Sequence, residues 1–133
     1  MATFQLRIVT PEKVFFDGEV ESVILRTTEG DVGILARHQQ YLANLPAGPV
    51  KLKIDGENRF AAISNGVVKV SKEPTTILAF AIEWADEIDV EWAKRSQQDA
   101  LDKKEHSTSE KEIKRAELKL QRALNRIRVS GMK

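Results

Sequence analysis

Five cations stand at helical spacing near the carboxy end of the chain: Lys111, Arg115, Lys119, Arg122 and Arg126. At about 100° per residue they fall within roughly 80° of one another, on one stripe. Guanidinium and ammonium groups donate hydrogen bonds and accept none, so the chemistry open to the stripe is the capture of anions, either carboxylate or phosphate. The five have few acidic partners at i,i+4 and repel one another, which leaves a counter-charge to be supplied from elsewhere. The plain alternative is a charged helix face that meets only water.

Other chemistries find little support. The chain has no Cys, which removes disulfides, thiolate metal sites and a cysteine nucleophile. His38 sits in a polar stretch far from His106, so no metal site is expected. Asp86/Glu87 and Asp89/Glu91 read as partners of a helix-start dipole rather than acid–base pairs. No phosphate-binding glycine loop, HExxH or Ser/His/Asp set is present, and no enzyme is expected. A nucleic-acid-binding or interaction module built on the basic tail is the alternative function. It is disfavoured because cations and aromatics do not interleave on the body of the chain. A membrane-surface helix would carry Trp or Phe on its apolar face, and the cationic helix carries neither. No cationic stretch followed by an apolar one opens the chain, and no apolar run approaches the ~18 residues of a membrane span, so neither a secretion signal nor direct membrane insertion is expected.

The formal net charge of +1 conceals an asymmetry. Residues 1–86 hold nine Lys/Arg against eleven Asp/Glu, residues 87–110 hold four against seven, and residues 111–133 hold eight against two. The successive balances are −2, −3 and +6, so a basic tail follows an acidic body.

The elements that must carry these residues are of two kinds. To about Trp84 the period is that of strands: Phe4, Leu6 and Ile8 alternate with polar residues, as do Val50, Leu52 and Ile54. Ile77, Ala79 and Ala81 interleave with Leu78, Phe80 and Ile82 as though both faces were covered. Turn chemistry at Asp17-Gly18, Asp55-Gly56, Asn65-Gly66 and Glu73-Pro74 is expected to reverse the chain between strands. The expected fold class is therefore a β-sandwich or barrel over residues 1–85, then an α-helical hairpin over residues 86–133. Asp89 is placed to cap a first helix over about 90–104. Ser and Thr in the break His106–Glu110 are placed to cap a second from about Ser109, with Gly131 as its stop. In that second helix Ile113, Ala116, Leu120, Ala123, Leu124 and Ile127 share an arc of roughly 100° beside the cations. On the first helix Val90, Ala93, Ala100 and Leu101 form a weaker face, so weak docking and a tail able to move are expected.

Three stretches, EGDVGILARH (Glu29–His38), ISNGVVKV with TTILAFAIEWADEIDVEWA (Ile63–Val70 and Thr75–Ala93), and KRAELKLQRALNRIRV (Lys114–Val129), occur in an order that resembles the epsilon subunit of the bacterial F-type ATP synthase. The resemblance implies a sandwich of about ten strands bound to the gamma subunit, the rotor shaft, with its lower edge on the c-subunit ring. Gly30, Asp31, Gly33 and His38 match the contact loop there, although Ala36-Arg37 replaces the family's Pro-Gly before the His. It also implies a non-catalytic, regulatory and rotor-coupling subunit of a proton- or sodium-driven ATP synthase, peripheral on the cytoplasmic face of the cell membrane. In that family the helical hairpin lies folded on the sandwich or extends toward the catalytic beta and alpha subunits, where the basic stripe inhibits ATP hydrolysis.

The same resemblance implies ATP as a regulatory ligand of the folded state, with no cofactor required. Thermophilic bacilli show an Ile-Asp-x-x-Arg-Ala motif completed by cations of the second helix. Here Ile88, Asp89 and Ala93 match, as do Glu83 upstream and Arg115, Arg122 and Arg126 downstream, but Trp92 stands where the motif has Arg. Losing that guanidinium removes a charge-assisted contact of about 1.5–3 kcal/mol. Trp92 reads as a packing residue or as a platform for a base.

Overall fold

Alternating apolar residues carry the first part of the chain into strands because every second side chain reaches a common interior. The computed structural model describes residues 2–72 and 74–132. It contains β1 (Phe4–Val9), β2 (Val14–Val20), β3 (Ser22–Thr27), β4 (Gly30–Leu35), β5 (Tyr41–Leu45), β6 (Gly48–Ile54), β7 (Glu57–Val70) and β8 (Thr75–Trp84). A 3-10 turn, Ala85–Glu87, leads to α1 (Val90–His106) and α2 (Glu110–Ser130).

The strands are hydrogen-bonded in the order β2-β1-β8-β7-β6-β3-β4, with β5 also on β7. Neighbours are antiparallel except β1 and β8, which run parallel. Leu6 and Ile8 from β1 share one buried cluster with Val23 and Leu25 from β3 and Ile34 from β4, near the other end of that order. The sheet must therefore fold over on itself, and the result is a sandwich.

Among the described residues eight strands stand where about ten were expected, because long strands serve both layers. The first half of β7 pairs with β6 through Ile63, and its second half pairs with β5 from Gly66 onward. The register slips between these halves, at Ile63/Asn65 and Asn65/Gly66. Asn65-Gly66 is thus a bulge inside a strand and not the expected turn. Glycine is needed there for room: a Cβ would lie 2.3 Å from the Leu78 carbonyl oxygen. Asp17-Gly18 is likewise not a turn, since Gly18 pairs with Leu6 within β2. Asp55-Gly56 does reverse the chain between β6 and β7, both residues having positive φ, 51° and 78°. The expected Glu73-Pro74 turn includes Glu73, which lies outside the described residues.

The second face of β8 is open at Leu78 and Phe80, contrary to the expectation for that strand, and of the three residues assigned to it only Ile82 packs against the core. Ile77 and Ala79 are buried, but Leu78 is 55% and Phe80 72% exposed. Leu78 pairs with Val67 of β7, and Val67 with Asn44 of β5. Leu42, two residues along β5, is 70% exposed, so these side chains form an apolar strip on the outside of one layer.

Both helix starts were legible. The Asp89 carboxylate accepts from the Trp92 N–H at 3.0 Å, and the Ser109 hydroxyl accepts from the Glu112 N–H at 3.4 Å. Gly131 follows the last turn of α2 as its C-cap. The helices pack along a seam of Ala93 and Ala100 on α1 with Ala116 and Ala123 on α2. The seven-residue spacing on each helix keeps the small side chains on one line and lets the backbones approach closely.

Candidate functional site

α2 buries two faces, and the cation stripe runs between them. Ala116 and Ala123 meet α1, as the apolar arc required. Asn125 and Val129, roughly 170° round the helix from the centre of that arc, are also buried, and they face the sandwich. Leu124, assigned to the arc, is instead 39% exposed, and Leu101 of α1 is 40% exposed. The difference follows from α2 having to dock on two neighbours. Alanines sit at closest approach, and the larger apolar side chains move to the rim.

The sandwich-facing side is small and mixes apolar with polar contacts. Val129 packs with Ala62 of β7 and Ile88. The Asn125 amide donates to the Gly48 carbonyl at 2.9 Å and the Ile63 carbonyl at 3.2 Å, two residues paired across β6 and β7. The Asn125 carbonyl oxygen is buried without a partner. One helical position away, Arg126 makes a two-point contact with Glu83 of β8, its Nη2 donating to Oε2 at 3.1 Å and its Nε to Oε1. The Arg126 guanidinium carbon also lies 4.6 Å from the centroid of the Trp92 ring, within cation–π range.

These residues wall a cleft of about 550 Å³ between β7, β8, α1 and α2, lined among others by Ser64, Glu83, Trp92, Ser96, Lys119, Arg122, Asn125 and Arg126. A second cavity of about 490 Å³, at the hairpin tip, holds Arg115 with Lys103, His106, Glu112 and Lys119. Of the five stripe residues, three thus line the first cleft, Arg115 lines the second, and Lys111 lines neither. The stripe is not left wholly without counter-charge by its own chain. Arg126 pairs with Glu83, and Lys119 pairs with Asp99 of α1. The Lys119 hydrogen bond, and secondarily that of Lys103, holds the Asp99 carboxyl below its usual range. Among the described residues Lys111, Arg115 and Arg122 make no ion pair within 4 Å.

The residues assigned to the nucleotide motif divide. Glu83, Arg122 and Arg126 come together in the first cleft. Ile88 is buried at the foot of the hairpin, Asp89 caps α1, and Ala93 is buried in the helix seam, so none of these lines the cleft. Trp92, at the position of the missing Arg, does line it and stacks on Arg126. Sequence reading missed Asn125 and Ser96. Asn125 lies beyond the cation stripe from the apolar arc, and a single polar residue there gave no periodic signal.

Gly30 opens β4 with φ 118°, Gly33 pairs with Ile24 inside β4, and Asp31 accepts from Arg26 at 3.1 Å. Asp31 and Arg26 share a cavity with Met132 just past α2, so this end of β4 lies beside the hairpin, while His38 follows its far end. The His38 N–H donates to the Leu35 carbonyl at 3.1 Å, and its ring stands edge-on to Tyr41. Arg37 adopts φ 65°. The tight turn demands the left-handed region, and the chain keeps that shape without a glycine. Among the described residues no cluster of His, Asp and Glu could hold a metal ion, and no helix is long and apolar enough to cross a membrane.

Residues 3–85 match the family described as ATP synthase, Delta/Epsilon chain, beta-sandwich domain, and residues 86–131 match ATP synthase, Delta/Epsilon chain, long alpha-helix domain. An ATP synthase epsilon chain from Ruminococcus albus is 48% identical over 134 residues, covering 100% of both chains. One from Bacillus pumilus is 44% identical over 131 residues, covering 98% of this chain and 99% of the relative. In fold, the chain resembles one in the Euglena gracilis mitochondrial ATP synthase OSCP/F1/c-ring assembly, with a TM-score of 0.83 at 23% identity over 94% of this chain and 79% of that one. With both matched regions in order and full-length bacterial relatives, the chain belongs to the ATP synthase delta/epsilon chain family.

Proposed function

We propose that the chain is the non-catalytic epsilon subunit of a bacterial ATP synthase, coupling the rotor and restraining ATP hydrolysis through its helical hairpin. The observation that carries the regulatory part is how little holds the hairpin down. Ala62, Ile88 and Val129 form the buried centre of a small apolar contact with the sandwich, rimmed by the half-buried Phe60, Ala85 and Met132, and one amide and one ion pair add to it. A side chain the size of Val contributes about 1.5–3 kcal/mol on burial, so α2 is detachable where the sandwich core is not. Extended, the hairpin exposes the cation stripe to acidic surface on the catalytic beta and alpha subunits and acts as a brake.

The apolar strip at Leu42, Leu78 and Phe80 supports a permanent protein neighbour, because a contiguous apolar face left to water favours association. The gamma subunit is the occupant this reading assigns to it. The Gly30–His38 segment, which is strand β4 and the turn after it and not the loop expected from the sequence, is assigned to the c-subunit ring. This puts the subunit at the periphery of the membrane, on its cytoplasmic face. ATP is assigned as a regulatory ligand of the folded hairpin. The first cleft supports this by offering Arg122 free of any ion pair among the described residues, beside an aromatic ring at Trp92.

The brake is tested by replacing Lys111, Arg115, Lys119, Arg122 and Arg126 with Ala in the assembled enzyme. ATP hydrolysis is expected to rise while assembly is preserved. An assembled complex with unchanged hydrolysis would reject the electrostatic brake.

A further inference from the structure

We infer that the folded hairpin is clasped from within the chain, by Glu83 and Trp92 on the Arg126 guanidinium, and does not need an anionic ligand to stay folded. The inference rests on the two-state hairpin proposed above and concerns what holds one of its states.

A guanidinium offers a planar edge of donors and two π faces. Both kinds of surface are engaged at Arg126. Glu83 takes Nε and Nη2 in the two-point arrangement that a phosphate would otherwise use, and the Trp92 ring lies 4.6 Å from the guanidinium carbon. The three residues come from the three parts that must stay together: β8 of the sandwich, α1 and α2. The side chains of the ion pair are 19% and 29% exposed, sheltered enough for the contact to outweigh a surface salt bridge. Lys119 adds a second internal pair by holding Asp99 of α1, so two of the three cations in the cleft are already occupied.

The residue at position 92 decides the outcome. An arginine there would set a second positive charge against Arg126 and leave both in need of an external anion. A tryptophan supplies a partner in place of a competitor. A phosphate ligand entering this cleft must then displace Glu83 from Arg126 or settle for Arg122. The affinity of such a ligand for the folded state is therefore low, and at a given concentration it adds little to a closure the chain already supplies.

The absence of native Cys allows a spin-label pair to be placed cleanly on the full chain at two exposed positions, Lys69 on β7 and Thr108 at the hairpin tip. Electron-electron distance measurements are expected to give one narrow population without nucleotide, unchanged by added ATP. Glu83→Gln keeps the shape and removes the charge. Trp92→Ala removes the ring from a half-exposed position whose loss does not threaten the sandwich core. Each variant is expected to raise the ratio of extended to folded hairpin about tenfold. A wild-type hairpin already extended without nucleotide and closed by ATP would overturn the inference. So would an extended-to-folded ratio unchanged from wild type in both variants. Failure of the brake itself would appear in the hydrolysis of the assembled enzyme and not in these distances, so the two ideas can fail separately.

Discussion

Replacing Asn125 by Asp should release the hairpin while leaving the sandwich folded. The two side chains have nearly the same shape, so packing against Gly48 and Ile63 is preserved and only the hydrogen-bonding character changes. The native amide donates to two strand carbonyls, at 2.9 and 3.2 Å, from a side chain only 5% exposed. A carboxylate loses both bonds, about 1 kcal/mol each, and turns them into oxygen–oxygen repulsions. Burying the unpaired charge costs several kcal/mol more. The total, about 4–6 kcal/mol, is of the same order as what the small apolar patch and one ion pair hold in place, so the balance shifts toward release. Asn125→Ala is the control that tests the arithmetic. It also loses two bonds, but it removes the unpartnered buried carbonyl, which itself costs about 1–3 kcal/mol, so the net change lies within about 1 kcal/mol of zero. Amide hydrogen exchange resolves the outcome by element. In the Asp variant, protection of α2 at its sandwich-facing end should fall while that of β1, β6 and β7 holds. The Ala variant should stay close to wild type. Native-like protection of α2 in the Asp variant, or equal loss in both, would refute the reasoning.

Trp92→Arg should restore the motif guanidinium and tighten ATP binding to the isolated chain by about tenfold or more; calorimetry finding equal or weaker binding would count against the cleft as a nucleotide site. Arg37→Gly should stabilise the chain by about 0.5–1 kcal/mol, the left-handed penalty of about 1–2 kcal/mol outweighing the extra freedom of glycine in the unfolded chain; urea titration of both proteins measures it. The lowered pKa of Asp99 means that its pairing with Lys119 across the two helices, and with Lys103 within α1, contributes stability above the ordinary carboxylate range that is lost as the pH falls through the depressed value. NMR titration of that carboxyl should shift upward toward the ordinary range in Lys119→Met, and an unmoved titration would remove Lys119 as the main cause.

The strand-to-helix change near residue 88, both helix caps and the cation stripe are written in local order: period two, then period 3.6, with Asp89 and Ser109 at the starts. Such features rest on neighbours within a few residues, which is why the chain alone determines them. Asp17-Gly18 and Asn65-Gly66 carry the same turn chemistry as Asp55-Gly56, yet both lie inside strands, because pairing with β1 and β8 outweighed the local preference. The apolar arc of α2 was visible; its second buried face at Asn125 and Val129 was not, since the partners Gly48, Ala62 and Ile63 lie more than 60 residues earlier. The same holds for the stripe's own counter-charges, Glu83 for Arg126 and Asp99 for Lys119. Sequence determined that a row of cations would exist and on which helix, because periodicity is a property of one segment. Only the tertiary structure decided which of them meet carboxylates of their own chain, because charge pairing at about 3 Å depends on how separate segments are packed, and no spacing along the chain encodes that distance.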